Sequence, residues 1–217
     1  MSTNLKVSAA LVAAFAAVVA AFLILGQSGS GSSADGGAAG GPQVVREDSH
    51  RLGEPGAGDV TLIEFLDFEC EACASVYPFV EQLREDYAGQ VTFVARYMPM
   101  PGHPNAENAA VAVEAAAQQG DFEAMYQRMY ETQEQWSHRE ESQAAVFRGF
   151  AADLGLDLAS YDQDVADPAT LERVLADRDD GLALGVEGTP TFFLNGEKLE
   201  VTTTDEFIER IEAALDE

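Results

Sequence analysis

Glu64-Phe65-Leu66-Asp67-Phe68-Glu69-Cys70-Glu71-Ala72-Cys73 decides the reading of this chain, because an apolar strand pattern runs in it straight into two cysteines separated by two residues. Upstream, residues 60–66 predict a buried strand, in which Thr61, Leu62, Ile63 and Phe65 favour β structure and Glu64 is the one awkward residue. Downstream the period changes to that of a helix, with Val76, Phe79, Val80, Leu83 and Tyr87 on one face, Pro78 inside it and Gly89 closing it. The pair holds the only cysteines of the chain. A cross-link at this spacing closes too short a loop to stabilise the fold much. At a helix start, the first sulfur meets unpaired N–H groups and the positive end of the dipole, which favours thiolate, and the second lies one turn on. The pair alone leaves redox, metal and structural readings open.

Working outward, residues 91–97 form a second apolar strand, and the Pro-rich run 98–104 continues neither structure. Residues 105–164 read as helical. Their faces run through Ala109, Val113 and Ala117, then Phe122, Met125 and Met129, then Val146, Phe147, Phe150 and Leu154, and these Met and aromatic stripes are core rather than a cofactor box. Asp167-Pro168 opens a further helix, which Leu171, Val174, Leu175 and Leu182 carry to Gly185. The end returns to strands at 191–194 and 197–201 around an Asn195-Gly196 turn, followed by a helix over 205–215. Val44 and Val45 begin a short edge strand, and the Gly53–Gly56 cluster marks a turn. The expected architecture is an α/β sandwich with helices inserted in its middle.

The first 26 residues include a stretch of about twenty without charge, from Val7 to Gly26, which is long enough to span a bilayer. Lys6 ahead of it places the N-terminus in the cytoplasm and the rest outside, a single-pass arrangement at the cell membrane. A cleaved signal peptide, with secretion of the remainder, is the alternative, and the absence of a following cysteine excludes a lipoprotein anchor. Residues 27–42 are a flexible Gly/Ser/Ala linker. With 12 Lys+Arg against 38 Asp+Glu, the formal charge of −26 argues against nucleic acid as a partner, and a solvated acidic surface suits a high-salt environment. Asp67 and Glu69 read as solvated acids beside the cysteines. A zinc site lacks its further ligands, since His50, His103 and His138 have no paired spacing, and no metal or cofactor is expected. His103 reads as a surface or packing residue.

Over residues 44–215 these features together resemble the thioredoxin fold and, within it, the extracytoplasmic DsbA-like thiol-disulfide oxidoreductases of the membrane-anchored type. The residues that carry the likeness are Phe68 to Cys73, Pro78 in the following helix, Gly188-Thr189-Pro190-Thr191-Phe192-Phe193, and His103-Pro104-Asn105 before an Ala-rich helix. The resemblance implies a thioredoxin-like domain over 43–104 and 168–217, with an inserted helical domain over 105–167. It also implies a nucleophilic Cys70, a buried resolving Cys73 that forms a disulfide with it, a cis Pro190, and Thr189 and Pro190 facing a bound substrate strand. Glu64 matches the family's buried acid, which relays the proton of Cys73.

One departure from the family lies between the cysteines. Glu71-Ala72 stands where strongly oxidising members carry a histidine, so both residues tune the potential, and Glu71 is expected to make the pair less oxidising. The implied activity is exchange of the Cys70–Cys73 disulfide with thiols of exported polypeptides, followed by reoxidation by a membrane redox partner. The alternatives are a reductase or isomerase of the same compartment, for example in cytochrome maturation, and a tethered binding or chaperone module.

Overall fold

The computed structural model describes residues 41–217; the anchor expected at 1–26 and the linker up to residue 40 lie outside the described residues. Two helical and strand segments frame the cysteines as the sequence predicts. Strand β2 (Thr61–Leu66) leads into helix α1 (Glu71–Asp86), and the chain returns through β3 (Thr92–Tyr97), parallel to β2. Strand β4 (Thr191–Leu194) lies antiparallel on the other side of β2 and turns back into β5 (Glu197–Lys198). With β1 (His50–Arg51) against β3, the mixed sheet has the order β1-β3-β2-β4-β5. The β4–β5 turn has positive φ at both Asn195 (50°) and Gly196 (86°), as a two-residue hairpin requires.

Five helices follow β3: α2 (Ala106–Ala117), α3 (Phe122–Glu131), α4 (Gln133–Trp136), α5 (Ala144–Asp153) and α6 (Leu158–Ala166). Helix α7 (Pro168–Ala183) then leads back to the sheet, and α8 (Thr204–Leu215) ends the fold. Asp167 caps α7 by accepting from Ala169 N at 2.9 Å, with Pro168 in the first turn where its missing N–H does no harm. Thr203 caps α8, accepting from Glu206 N at 3.1 Å. Among the described residues no helix is long and apolar enough to cross a membrane.

The alternation along β2 divides the core. Leu62 and Leu66 face a large cluster shared with α1 and the inserted helices, including Leu83, Phe93, Tyr97, Met125 and Trp136. Ile63 and Phe65 face a smaller cluster with Val94, Met98 and Phe193. Helix α7 approaches that second face at Gly181, where a Cβ would meet Phe65 at 3.0 Å and the Met98 sulfur at 3.1 Å. A side chain there would require Phe65 or Met98 to give way by a few tenths of an ångström.

Four expectations are corrected here. Val44 and Val45 form no strand, because the carbonyls of Gln43 and Val44 are bonded by the guanidinium of buried Arg96, at 2.8 and 2.6 Å, and the first strand comes later at His50. Strand β5 stops at Lys198 rather than reaching Val201, and Leu182 is 57 % exposed. The inner face of α7 uses Val174, Asp177 and Gly181 instead. Finally, not all the acid is solvated. Asp177 and Asp180 are buried against Arg96, each at 2.8 Å, with Arg173 on Asp177 and Arg46 on Asp180, both at 2.6 Å. Buried carboxylates survive only with such partners.

Candidate active site

Cys70 is the N-cap of α1, with extended backbone (φ −73°, ψ 123°), and its N–H closes a turn onto the Asp67 carbonyl at 3.2 Å. Both cysteines are free thiols, Cys70 at 8 % exposure and Cys73, one turn into the helix, at 1 %. Cys70 Sγ lies 3.3 Å from the Thr189 carbonyl oxygen, and the Thr189–Pro190 peptide bond is cis. The loop before β4 therefore meets the first sulfur directly. The Thr189 hydroxyl is buried and bonded to no other protein atom.

The two thiols have opposite proton affinities. Cys70 is pulled down to about 5, first by the hydrogen bond from the Cys73 thiol and then by the Thr189 side chain and the N–H groups of Cys73 and Ala72, against the opposing effect of burial. Cys73 is pushed strongly up, first by burial, then by its bond to the Cys70 sulfur and by the charge of Glu64. At neutral pH the pair is thus a thiolate and a thiol on one helix start. Glu64, 5 % exposed on β2, is pushed up to about 8, first by burial and then by the charges of Cys70 and Glu81. Its Oε2 is buried with no hydrogen-bond partner, as are the hydroxyls of Tyr126 and Tyr130 on α3. The awkward strand carboxylate is therefore a neutral acid beneath the cysteines at pH 7.

Beside Pro190 lies a shallow groove of about 340 Å³, lined by Val76, Phe79, Phe192, Val201 and Phe207 among others. Val76 and Phe79 come from α1 and Phe207 from α8, so helical faces read as core also form this surface.

Asp67 and Glu69 are not solvated acids: they are 2 % and 0 % exposed. Asp67 accepts from Glu69 N (2.8 Å) and Met100 N (2.9 Å), and lies 2.6 Å from His103 Nδ1. Glu69 accepts from Asn105 N (2.6 Å) and His138 N (2.8 Å). Gln133, at the start of α4, donates to the carbonyls of Phe68 and Cys70 at 2.7 and 2.9 Å. The active-site turn is thereby bolted to two loops distant in sequence. One consequence concerns Glu71, which is exposed but paired with His138 Nε2 at 2.8 Å. His138 has left-handed backbone, φ 55°, in the geometry fixed by Glu69. Ala72 is exposed and contributes its N–H to Cys70.

Cys70, Cys73, Glu64, Thr189 and Pro190, expected from the sequence and its family resemblance, come together here. Asp67, Glu69, Gln133, His103 and His138 are site-forming residues not expected from the sequence. Their available signal was the density of polar residues around an otherwise apolar strand end, and nothing in the spacing says which loop each would bond.

A family model described as thioredoxin matches residues 46–216. Among solved structures, a thioredoxin-like oxidoreductase from Silicibacter pomeroyi is 25 % identical, with a TM-score of 0.65 over 79 % of this chain and 94 % of that one. The α-DsbA1 of Wolbachia pipientis is 18 % identical, with a TM-score of 0.69 over 80 % of this chain and 94 % of that one. A different similarity is to the Na(+)/H(+) antiporter NhaA of Herminiimonas arsenicoxydans, 37 % identical over 158 residues, which are 73 % of this chain but 24 % of the antiporter. The chain spans about a quarter of the length of the curated relatives it matches.

Proposed function

The chain belongs to the thioredoxin family, and from that premise we propose that it is a DsbA-like thiol-disulfide oxidoreductase acting outside the cytoplasmic membrane on thiols of exported polypeptides. The observation that carries the reading is the opposed pair of thiols, Cys70 drawn down and Cys73 pushed up, at one helix start facing a cis-proline loop. In the oxidising direction a substrate thiolate attacks the Cys70 sulfur of the Cys70–Cys73 disulfide. The S–S bond breaks and Cys73 leaves with the electron pair. Glu64, protonated at neutral pH, is the proton donor for that leaving group. A second substrate thiolate then attacks the substrate sulfur of the mixed disulfide and releases Cys70 as thiolate. The substrate loses two electrons and two protons. Glu64 is reprotonated from solvent, so that the protein gains both electrons and one proton, and the other proton stays in solvent.

The groove beside Pro190 is the surface on which an extended substrate lies, with Thr189 offering backbone groups beside the reacting sulfur. The anchor at 1–26 and the linker at 27–42 hold the domain at the outer face of the membrane, within reach of a redox partner that restores the disulfide. The thioredoxin-like portion comprises 43–104 and 168–217, and the helical insert 105–167. Glu71 favours the second reading, a reductase or isomerase, since an acid beside Cys70 works against the thiolate.

Alkylating the thiols in intact cells with a mass-shifting reagent separates the two. A predominantly oxidised pair supports the oxidase, and a reduced pair the reductase. Cys73→Ala is expected to accumulate mixed disulfides with exported proteins, while full activity in Cys70→Ser would leave only a binding module.

A further inference from the structure

The loop that joins β3 to α2 brings His103 to the active-site turn, and the thiol mechanism above does not use it. Its anchor is Asp67, three residues before Cys70 and 2 % exposed. Asp67 also accepts two backbone N–H groups, and its own carbonyl accepts from Cys70 N, so the carboxylate that holds the ring and the turn that carries the sulfur are one unit. Nδ1 lies 2.6 Å from Asp67, and the tautomer that donates from Nδ1 to this carboxylate leaves Nε2 as the nitrogen whose protonation changes the ring's charge. The ring is one-fifth exposed and packs edge-on against His138, centroids 6.1 Å apart.

We propose that His103 is a positioning residue for the chemistry of Cys70: its imidazolium, held by Asp67 on the insert side of the active-site turn, supplies the positive charge that the Glu71-Ala72 dipeptide lacks and makes exchange at Cys70 depend on pH. The inference rests on the thiol-disulfide reading and adds a residue to it. Burial opposes the charged ring, but Asp67, the Cys70 thiolate and Glu69 all favour it and together prevail. From the other loop, His138 faces it with Glu71 as its partner. The influence is reciprocal. If the Cys70 thiolate favours the protonated imidazole, the protonated imidazole favours the thiolate by the same free energy. Its share is smaller than those of the Cys73 thiol and the backbone N–H groups, which lead at Cys70. It differs from them in being titratable.

The test uses the full chain, with His103→Gln and His103→Lys. Thiolate absorbance is followed against pH, and the equilibrium with glutathione is measured at each pH. In His103→Gln the Cys70 titration moves up, and the reduced pair is destabilised about threefold below the imidazole's titration, equivalent to about 14 mV towards a more negative potential. Above that titration the variant and the parent converge. His103→Lys keeps the low titration and loses the pH break. A structural disturbance would shift both limbs alike. Curves for His103→Gln that superimpose on the parent, or an offset constant at every pH, would overturn the inference while leaving the thiol reading intact. A parent protein that exchanges no disulfide with glutathione would instead overturn the thiol reading.

Discussion

Replacing Glu64 by Gln removes a proton-binding group from beneath the cysteines with little change of shape, and the consequence for stability follows from the proton count. In the folded protein the carboxyl holds its proton up to about 8, against a value of 4.5 for an unperturbed glutamate. Between those limits the folded chain binds one more proton than the unfolded chain. Stability therefore falls as pH rises through this window, and is unaffected by Glu64 below it. At about 1.4 kcal/mol for each unit, the gap sets a ceiling of about 5 kcal/mol on the loss. The Gln variant has no such term. Denaturant unfolding of both reduced proteins at about pH 4 and about pH 9 isolates it, because every other titrating group is common to the two. The variant is expected to gain roughly 2 to 5 kcal/mol on the parent over this range. Its exchange rate at neutral pH is expected to fall about a hundredfold for want of a proton donor to Cys73. A stability difference that stays constant from acid to alkaline pH would refute the burial argument, and an unchanged exchange rate would refute the relay.

Three further outcomes concern the supports of the site. Glu69→Ala strips the buried acceptor from the N–H groups of Asn105 and His138 and is expected to cost roughly 2 to 5 kcal/mol in denaturant unfolding, with faster amide exchange over residues 137–143. Arg96→Met leaves the buried carboxylates of Asp177 and Asp180 short of a partner and is expected to cost about 3 to 5 kcal/mol, with the Cys70 titration unmoved. His138→Ala is expected to lower the equilibrium constant for reduction by about twofold when Glu71 is present and not at all in a Glu71→Gln background, a double-mutant cycle read against glutathione.

The sheet and the cysteine helix were legible because their signals are local. The strand pattern at Val60 to Leu66, the change of period after Cys70, Asp167-Pro168 and Asn195-Gly196 each specify their own few residues. Cys70 and Cys73 were legible for the same reason, since a helix start is a short motif, whereas Pro190 was legible only through the resemblance of Gly188 to Phe193 to a family loop. Polar residues whose partners lie far away in sequence were not. Asp67 and Glu69 look like any exposed acids until the loops at 100–105 and 137–143 close over them. Asp177 and Asp180 look solvated until Arg96 is placed on the strand behind them. The failed strand at Val44 has the same origin, because its carbonyls were taken by that arginine. In each case the hydrogen-bond inventory of a long-range contact, rather than propensity, decided the outcome.

This division bears on how far the residues between the cysteines set the chemistry. Read as a sequence, Glu71 places a bare negative charge beside the reactive sulfur, and restoring a histidine there should raise the potential. In the folded protein Glu71 already has an imidazole 2.8 Å away, delivered by a loop that buried Glu69 fixes in a left-handed turn. Part of the opposition to the thiolate is therefore cancelled whenever His138 is protonated. Glu71→His would then place a second imidazole beside that of His138, where like charges oppose each other. The gain over Glu71→Gln should accordingly be small at neutral pH, and it should grow when His138 is also replaced by Ala. The Cys73 thiol and the N–H groups of the motif lead at Cys70, and the Glu71–His138 pair ties that motif to the inserted helices.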